Sequence, residues 1–179
     1  MRDCNRGADI SSEIDHIYNL MDGSDIAMEY SERHSIKSQA VLTAYDDEVC
    51  ADIAHYLSPR IEGRTVVEIG GGIGLLAFHL GMYARRVYCI EANPAWAWTF
   101  IQCLYERKPK NVSYLFGSAD EFIGRIKGNV AIFCTHSGVE DMHRVGLRFA
   151  DTAIDVYGEI IEKEPEKFDS LARTLRKFC

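Results

Sequence analysis

No stretch of the 179 residues approaches the roughly 18 consecutive apolar positions that a bilayer-spanning helix needs. Residues 1–19 show no apolar segment behind a basic start, as a secretory leader would. The expectation is a cytoplasmic protein with no membrane partner. None of the six cysteines form a C-x-x-C pair, which argues against a zinc knuckle or a thioredoxin-type site. Cys89 and Cys134 lie inside apolar runs, where a reduced thiol behaves as a small hydrophobe. No group of His, Asp and Glu has ligand spacing, so no metal is expected. His16, His55 and His79 fall at amphipathic positions of expected helices and read as packing or surface residues. Basic side chains are in deficit, 20 Lys and Arg against 27 Asp and Glu, for a net charge of −7. A nucleic-acid binder draws much of its affinity from neutralising phosphates. The deficit therefore favours a small-molecule or protein partner over nucleic acid. The two local basic runs, Arg107-Lys108-Pro109-Lys110 and residues 173–177, read as solvated helix ends. There is no internal repeat and no low-complexity tract.

What is present suits an ordinary globular core, with 47% apolar and 26% charged residues. Residues 11–21 carry Ile14, Ile17, Tyr18 and Met21 on one helical face. A second helical pattern (Leu42, Tyr45, Val49, Ile53, Leu57) is expected to stop at Ser58-Pro59, since a residue before proline resists the α region. Residues 1–58 are thus an expected N-terminal helical extension, and 59–179 the main domain. From Thr65 the pattern changes to short β-branched runs, 65–69, 86–90, 111–116 and 130–134, each followed by a helical segment. Residues 152–161 alternate as a fifth strand, although Phe149, Ala153, Val156 and Ile160 also fit helical spacing. A helix should open at Ser118-Ala119-Asp120-Glu121, a capping-box pattern, and run to about 127. Alternating strands and helices imply right-handed parallel crossovers, with ligands beyond the carboxyl ends of the strands.

The strongest signal lies at the first such end, Glu68-Ile69-Gly70-Gly71-Gly72-Ile73-Gly74, between strand and helix. Glycines let the chain turn sharply and let a ligand approach the backbone, and the following helix offers free N–H groups. A D/E-x-G-x-G-x-G string should arise by accident in only about one chain of this length in a hundred. Glu91 closes the second strand, where a carboxylate can accept the hydroxyls of a ribose. Asp120 follows the third strand, where it could accept from an adenine amino group, or simply favour a helix start. An NAD site is a weaker fit: G-x-G-x-x-G is not matched, because position 75 is Leu75, and Glu68 would have no task.

Residues 66–74, 87–94 and 117–120 together resemble the successive motifs of class I S-adenosylmethionine-dependent methyltransferases. The resemblance covers roughly residues 60–135. It implies a Rossmann-like, mostly parallel α/β sheet with helices on both faces, and S-adenosylmethionine as cofactor. It further implies that Glu68 lies near the methionine amino group and that Gly70, Gly72 and Gly74 wrap the methionine and ribose. Glu91 would hold the ribose, Ala92 and Asn93 would flank the adenine, and Ala119 and Asp120 would contact it. The end of the fourth strand, Thr135-His136-Ser137, would face the methyl group. His136 is the candidate base, because an unperturbed imidazole titrates near neutrality. Glu140 and Asp141 could orient it or attract a cationic substrate.

Two departures from the family pattern matter. The D/N-P-P-Y signature of amino-methylating nucleic-acid enzymes is absent. After His136 only one further strand can be formed, so about five strands in the order 3-2-1-4-5 are expected instead of seven. An open edge at the fifth strand would invite a homodimer. The expected activity is methyl transfer to a small-molecule or protein acceptor. The alternatives are a non-catalytic S-adenosylmethionine-binding module or complex subunit, and, as a weaker fit, an NAD-binding protein.

Overall fold

The computed structural model describes residues 47–92, 96, 100, 101, 104, 105, 107–133 and 142–161. The expected helices within 1–46 and the expected closing helix from 165 lie outside the described residues. The architecture is a five-stranded sheet in the order β3-β2-β1-β4-β5. Its strands are β1 (Thr65–Ile69), β2 (Arg86–Glu91), β3 (Val112–Phe116), β4 (Val130–Phe133) and β5 (Thr152–Asp155). Every pairing is parallel, and the order is the one expected from the sequence. All five residues of β1 are buried. A central parallel strand covered on both faces requires this, and Val66-Val67 supply the β-branched side chains that suit it.

Alternation along the strands divides the core in two. One face carries Val66, Val87, Val112, Val130, Ile132 and Ile154, covered by helix α1 (Asp47–Ile61), helix α2 (Leu75–Leu80) and the helical residues Trp96, Phe100 and Leu104. The other carries Val67, Ile69, Ile90, Ala131, Phe133 and Ala153. Met142, Phe149 and Ala150 cover it, together with side chains from 119–126. Two short helices flank this second face, α3 (Ala119–Phe122) and α4 (Met142–Gly146).

Helix α1 runs through Ser58 and Pro59 to Ile61, past the expected stop. A proline inside a helix leaves the carbonyl four residues earlier without its donor. Here that carbonyl belongs to His55, and the Ser58 hydroxyl donates to it at 2.7 Å. Burial of Leu57 and Ile61 in the common core outweighs the break. The helix also crosses residue 58, where the sequence pattern divides extension from domain, and Cys50, Ile53 and Ala54 belong to the same core. At its start, Asp47 accepts hydrogen bonds from Arg107 at 2.7 Å and His79 at 2.9 Å. Burial raises the Asp47 pKa, but these two partners outweigh it and hold the carboxyl below its usual range.

Two other expectations are corrected. The fifth strand ends at Asp155, and residues Val156–Ile161 form a π-helical turn, the helical alternative that the Val156–Ile160 spacing allowed. The Asp155 carboxylate accepts from the Tyr157 N–H at 3.1 Å and starts that turn. The helix after β3 is only four residues long. Glu121 accepts from the Ser118 N–H at 2.9 Å as expected, but Ile123 leaves the helical conformation at ψ 127° and ends the run before 127.

Candidate functional site

The site forms where β1 and β2 end. Their register sets Glu68 beside Cys89, and that of β2 and β3 sets Cys89 beside Tyr114. The three side chains therefore form a polar row across one face of the sheet. Glu91 stands one step further along β2, at its carboxyl end. The chain leaves β1 through the glycine loop, tethered at once to β2 by Gly70 N–H and Gly71 N–H bonds to the Ile90 carbonyl, 2.8 and 3.1 Å.

Three of the loop glycines, Gly70, Gly72 and Gly74, have φ of 75°, 56° and 78°, a region that side-chain-bearing residues rarely adopt. Gly71 is required for a different reason. A Cβ there would come 2.1 Å from the Cys89 Sγ and 3.0 Å from Glu68 Oε2. Gly74 lies against the Phe100 ring, which would meet a Cβ at 2.3 Å. Phe100 is stacked between Phe78 and Tyr114, with centroids 5.3 and 4.0 Å away. The loop is thus packed on its inner side, while no atom of the described residues lies within 4 Å of the position a Gly70 Cβ would take.

Two carboxylates border the loop. Glu91 is 9% exposed and its Oε2 accepts from the Gly72 N–H at 2.8 Å. The Tyr114 hydroxyl donates to the Gly72 carbonyl at 3.1 Å, so both main-chain polar groups of Gly72 are held by side chains. Glu68 is 4% exposed. The Cys89 thiol donates a hydrogen bond to it, while Oε2 has no hydrogen-bond partner among the described residues. Burial above all, opposed by the thiol bond and reinforced by the nearby Glu91 charge, pushes the Glu68 carboxyl up to about 8. Burial and the same two acids push the Cys89 thiol well up, and burial with the Glu91 charge does the same to the Tyr114 phenol. A buried acid with an open oxygen suits a cation or a strong N–H donor, since unpaired buried polar atoms are costly.

Of the residues expected at the site, Glu68, Gly70, Gly72, Gly74 and Glu91 come together here. Ala92 follows directly, half-buried. Ala119 packs half-buried on the second core face. Asp120 stands on the short helix after β3: its side chain is 79% exposed and lies 3.9 Å from the Arg148 guanidinium. Asn93, Thr135, His136, Ser137, Glu140 and Asp141 lie outside the described residues. Cys89, Gly71, Tyr114 and Phe100 were not singled out by the sequence pattern; their part depends on strand register and on packing between distant segments. Among the described residues no three His, Cys, Asp or Glu side chains gather as a metal ion would need, and no helix is long and apolar enough to cross a membrane.

No family model matches the chain, and no curated protein matches it in sequence. Solved structures do match in fold. The precorrin-6y C5,15-methyltransferase of Geobacter metallireducens GS-15 is 16% identical, with a TM-score of 0.52, over 69% of this chain and 69% of that one. The precorrin 8w decarboxylase of Methanobacterium thermoautotrophicum is 19% identical, with a TM-score of 0.50, over 68% and 69%. Trm5b of Pyrococcus abyssi is 16% identical with a TM-score of 0.50, but the chain spans only 38% of its length. The fold is the Rossmann-like fold of class I S-adenosylmethionine-dependent methyltransferases.

Proposed function

We propose that this chain binds S-adenosylmethionine at the ends of β1 and β2 and transfers its methyl group to an acceptor. The observation that carries the reading is the pairing of two buried acids around one glycine loop, one of them with an oxygen that has no partner among the described residues. An adenosyl sulfonium carries an α-ammonium on its amino-acid end and a diol on its ribose, and the two acids match those two groups. Glu68 would take the α-ammonium through Oε2. Glu91 would accept from the ribose hydroxyls while keeping its bond to Gly72, since a carboxylate oxygen has more than one acceptor site. Gly70, with open space beside it, would let the ligand lie against bare backbone.

When bound, S-adenosylmethionine supplies a methyl group already activated on sulfur, so what the chain adds is chiefly orientation of the two reactants. The Gly72 backbone, held at both its N–H and its carbonyl, keeps the loop in one shape for that purpose. His136, three positions beyond β4 in sequence, would accept a proton from an acceptor that must lose one. Thr135 would line the same end of the strand. A small-molecule or protein acceptor fits the net charge of −7 better than a polyanion does. Named functions of similar folds point to a tetrapyrrole precursor as one small-molecule class to try.

Titration calorimetry with S-adenosylmethionine, S-adenosylhomocysteine and NAD tests the reading. Binding of both adenosyl compounds and not of NAD is expected. Binding of NAD alone, or of none of the three, would overturn it.

A further inference from the structure

Cys89 sits in the middle of the polar row, and the methyl-donor reading above gives it no task. Its side chain is wholly buried. On adjacent parallel strands, which run about 4.8 Å apart, it is the register partner of Glu68 and points to the same face. Its thiol donates to Glu68, and its sulfur lies directly under Gly71, where a Cβ would come within 2.1 Å of it. The remaining oxygen of Glu68, without a partner and 3.0 Å from that same Cβ position, faces the floor of the loop.

We propose that Cys89 is a positioning residue: its thiol holds one oxygen of Glu68 so that the other is presented to the cationic end of the ligand, and its sulfur sets the height of the loop above. The proposal rests on the reading of the site as an adenosyl-sulfonium site, and two independent observations support it. The first is the buried, unpartnered oxygen of Glu68. The second is the Gly71 backbone resting on the sulfur.

The other groups around Glu68 cannot take over this task. Among the described residues, the titratable side chains that face it are Cys89 and Glu91 from β2 and Tyr114 from β3, while β4 presents Ile132. Glu91 is a like charge, which opposes ionisation of Glu68. Tyr114 spends its proton on the Gly72 carbonyl. The thiol is left as the side-chain donor, and its bond favours the ionised acid, against burial. Without it, Glu68 should be harder to ionise and freer to turn.

The test compares wild type, C89A, C89V, C89S and E68Q by titration calorimetry with S-adenosylhomocysteine from pH 6 to pH 9. Titration of the ligand itself is common to all and cancels when each affinity is divided by that of E68Q. In wild type this ratio should rise with pH and level off once Glu68 is ionised. In C89A and C89V the rise should move to higher pH, and affinity at pH 7 should fall about threefold to tenfold, the worth of one hydrogen bond. C89S loses volume much as C89A does but keeps a donor, so it should return close to the wild-type profile. C89V gives the donor-free comparison if C89A does not fold. Superposable profiles for all three Cys89 variants and wild type, with the pH-dependent rise still present, would make the thiol plain filling and overturn the proposal alone. Failure of wild type to bind the ligand at all would overturn the functional reading first, and the proposal with it.

Discussion

The Glu91 carboxylate and the Gly72 N–H meet at 2.8 Å, joining the end of β2 to the middle of the glycine loop. One acid thus shapes the loop and borders the crevice it opens onto. Glu91→Ala should therefore do two things. Leaving the buried Gly72 N–H unpaired should cost about 1–3 kcal/mol of stability, and S-adenosylhomocysteine binding should be lost with the ribose acceptor. Glu91→Gln, whose amide oxygen can still accept from Gly72, should recover most of the stability and only part of the binding. Urea denaturation and calorimetry on the two variants separate the effects; equal binding by Glu91→Ala and wild type would remove Glu91 from the site.

Glu68 makes stability depend on pH in a stated direction. Its carboxyl has an ordinary value of 4.5 and is pushed up to about 8 in the fold, chiefly by burial. Between those two values the folded chain holds a proton that the unfolded chain has released, so stability falls as pH rises from about 4.5 to about 8 and is level above. The slope belonging to this one group is up to about 1.4 kcal/mol per pH unit. Glu68→Gln should abolish it, so the stability difference between Glu68→Gln and wild type should widen from pH 5 to pH 8. A difference that stays constant over that range would show that Glu68 is ionised throughout.

Gly71 tolerates no side chain while Cys89 lies beneath it. Gly71→Ala should cost about 1–3 kcal/mol through overpacking. Adding Cys89→Ala should recover part of that loss, because the sulfur 2.1 Å from the new methyl is gone. The two substitutions should therefore be non-additive, as contacting residues are. Strictly additive losses in a double-mutant denaturation series would show that the loop is seated elsewhere.

His136 is proposed as a base and not as a cofactor ligand. His136→Ala should leave S-adenosylhomocysteine affinity within about twofold and lower methyl transfer to a protonated acceptor by about a hundredfold or more, the usual worth of general base catalysis. Unchanged turnover, measured by release of S-adenosylhomocysteine, would exclude the role.

Much of this was legible in the sequence where local chemistry decides. Val66-Val67 and Val130-Ala131-Ile132 declared buried strands, and the glycine string between Glu68 and Leu75 declared a loop with acids beside it. The strand order was what the family resemblance implied. Other features depend on which side chains meet across the fold. Pro59 read as a helix stop because the Ser58 bond to the His55 carbonyl, and the pull of Ile61 into the core, are not visible in spacing alone. Cys89 read as an apolar filler because its neighbour Glu68 lies 21 positions away in sequence and is brought abreast only by β1–β2 register. Asp120 matched an adenine contact in sequence; in the fold it stands on a four-residue helix with its side chain exposed, 3.9 Å from the Arg148 guanidinium.

The position of β1 has a consequence for assembly. It is the innermost strand, pairing with β2 at Val66↔Val87 on one side and with β4 at Val66↔Val130 on the other. The glycine loop springs from a strand whose second neighbour is synthesised some sixty residues later. A nascent chain that has emerged only as far as β3 carries the whole loop and both acids, but leaves one flank of β1 bare and ready to pair with any passing strand. Ligand competence should accordingly arrive late and all at once, and fragments cut before β4 should clump in preference to binding.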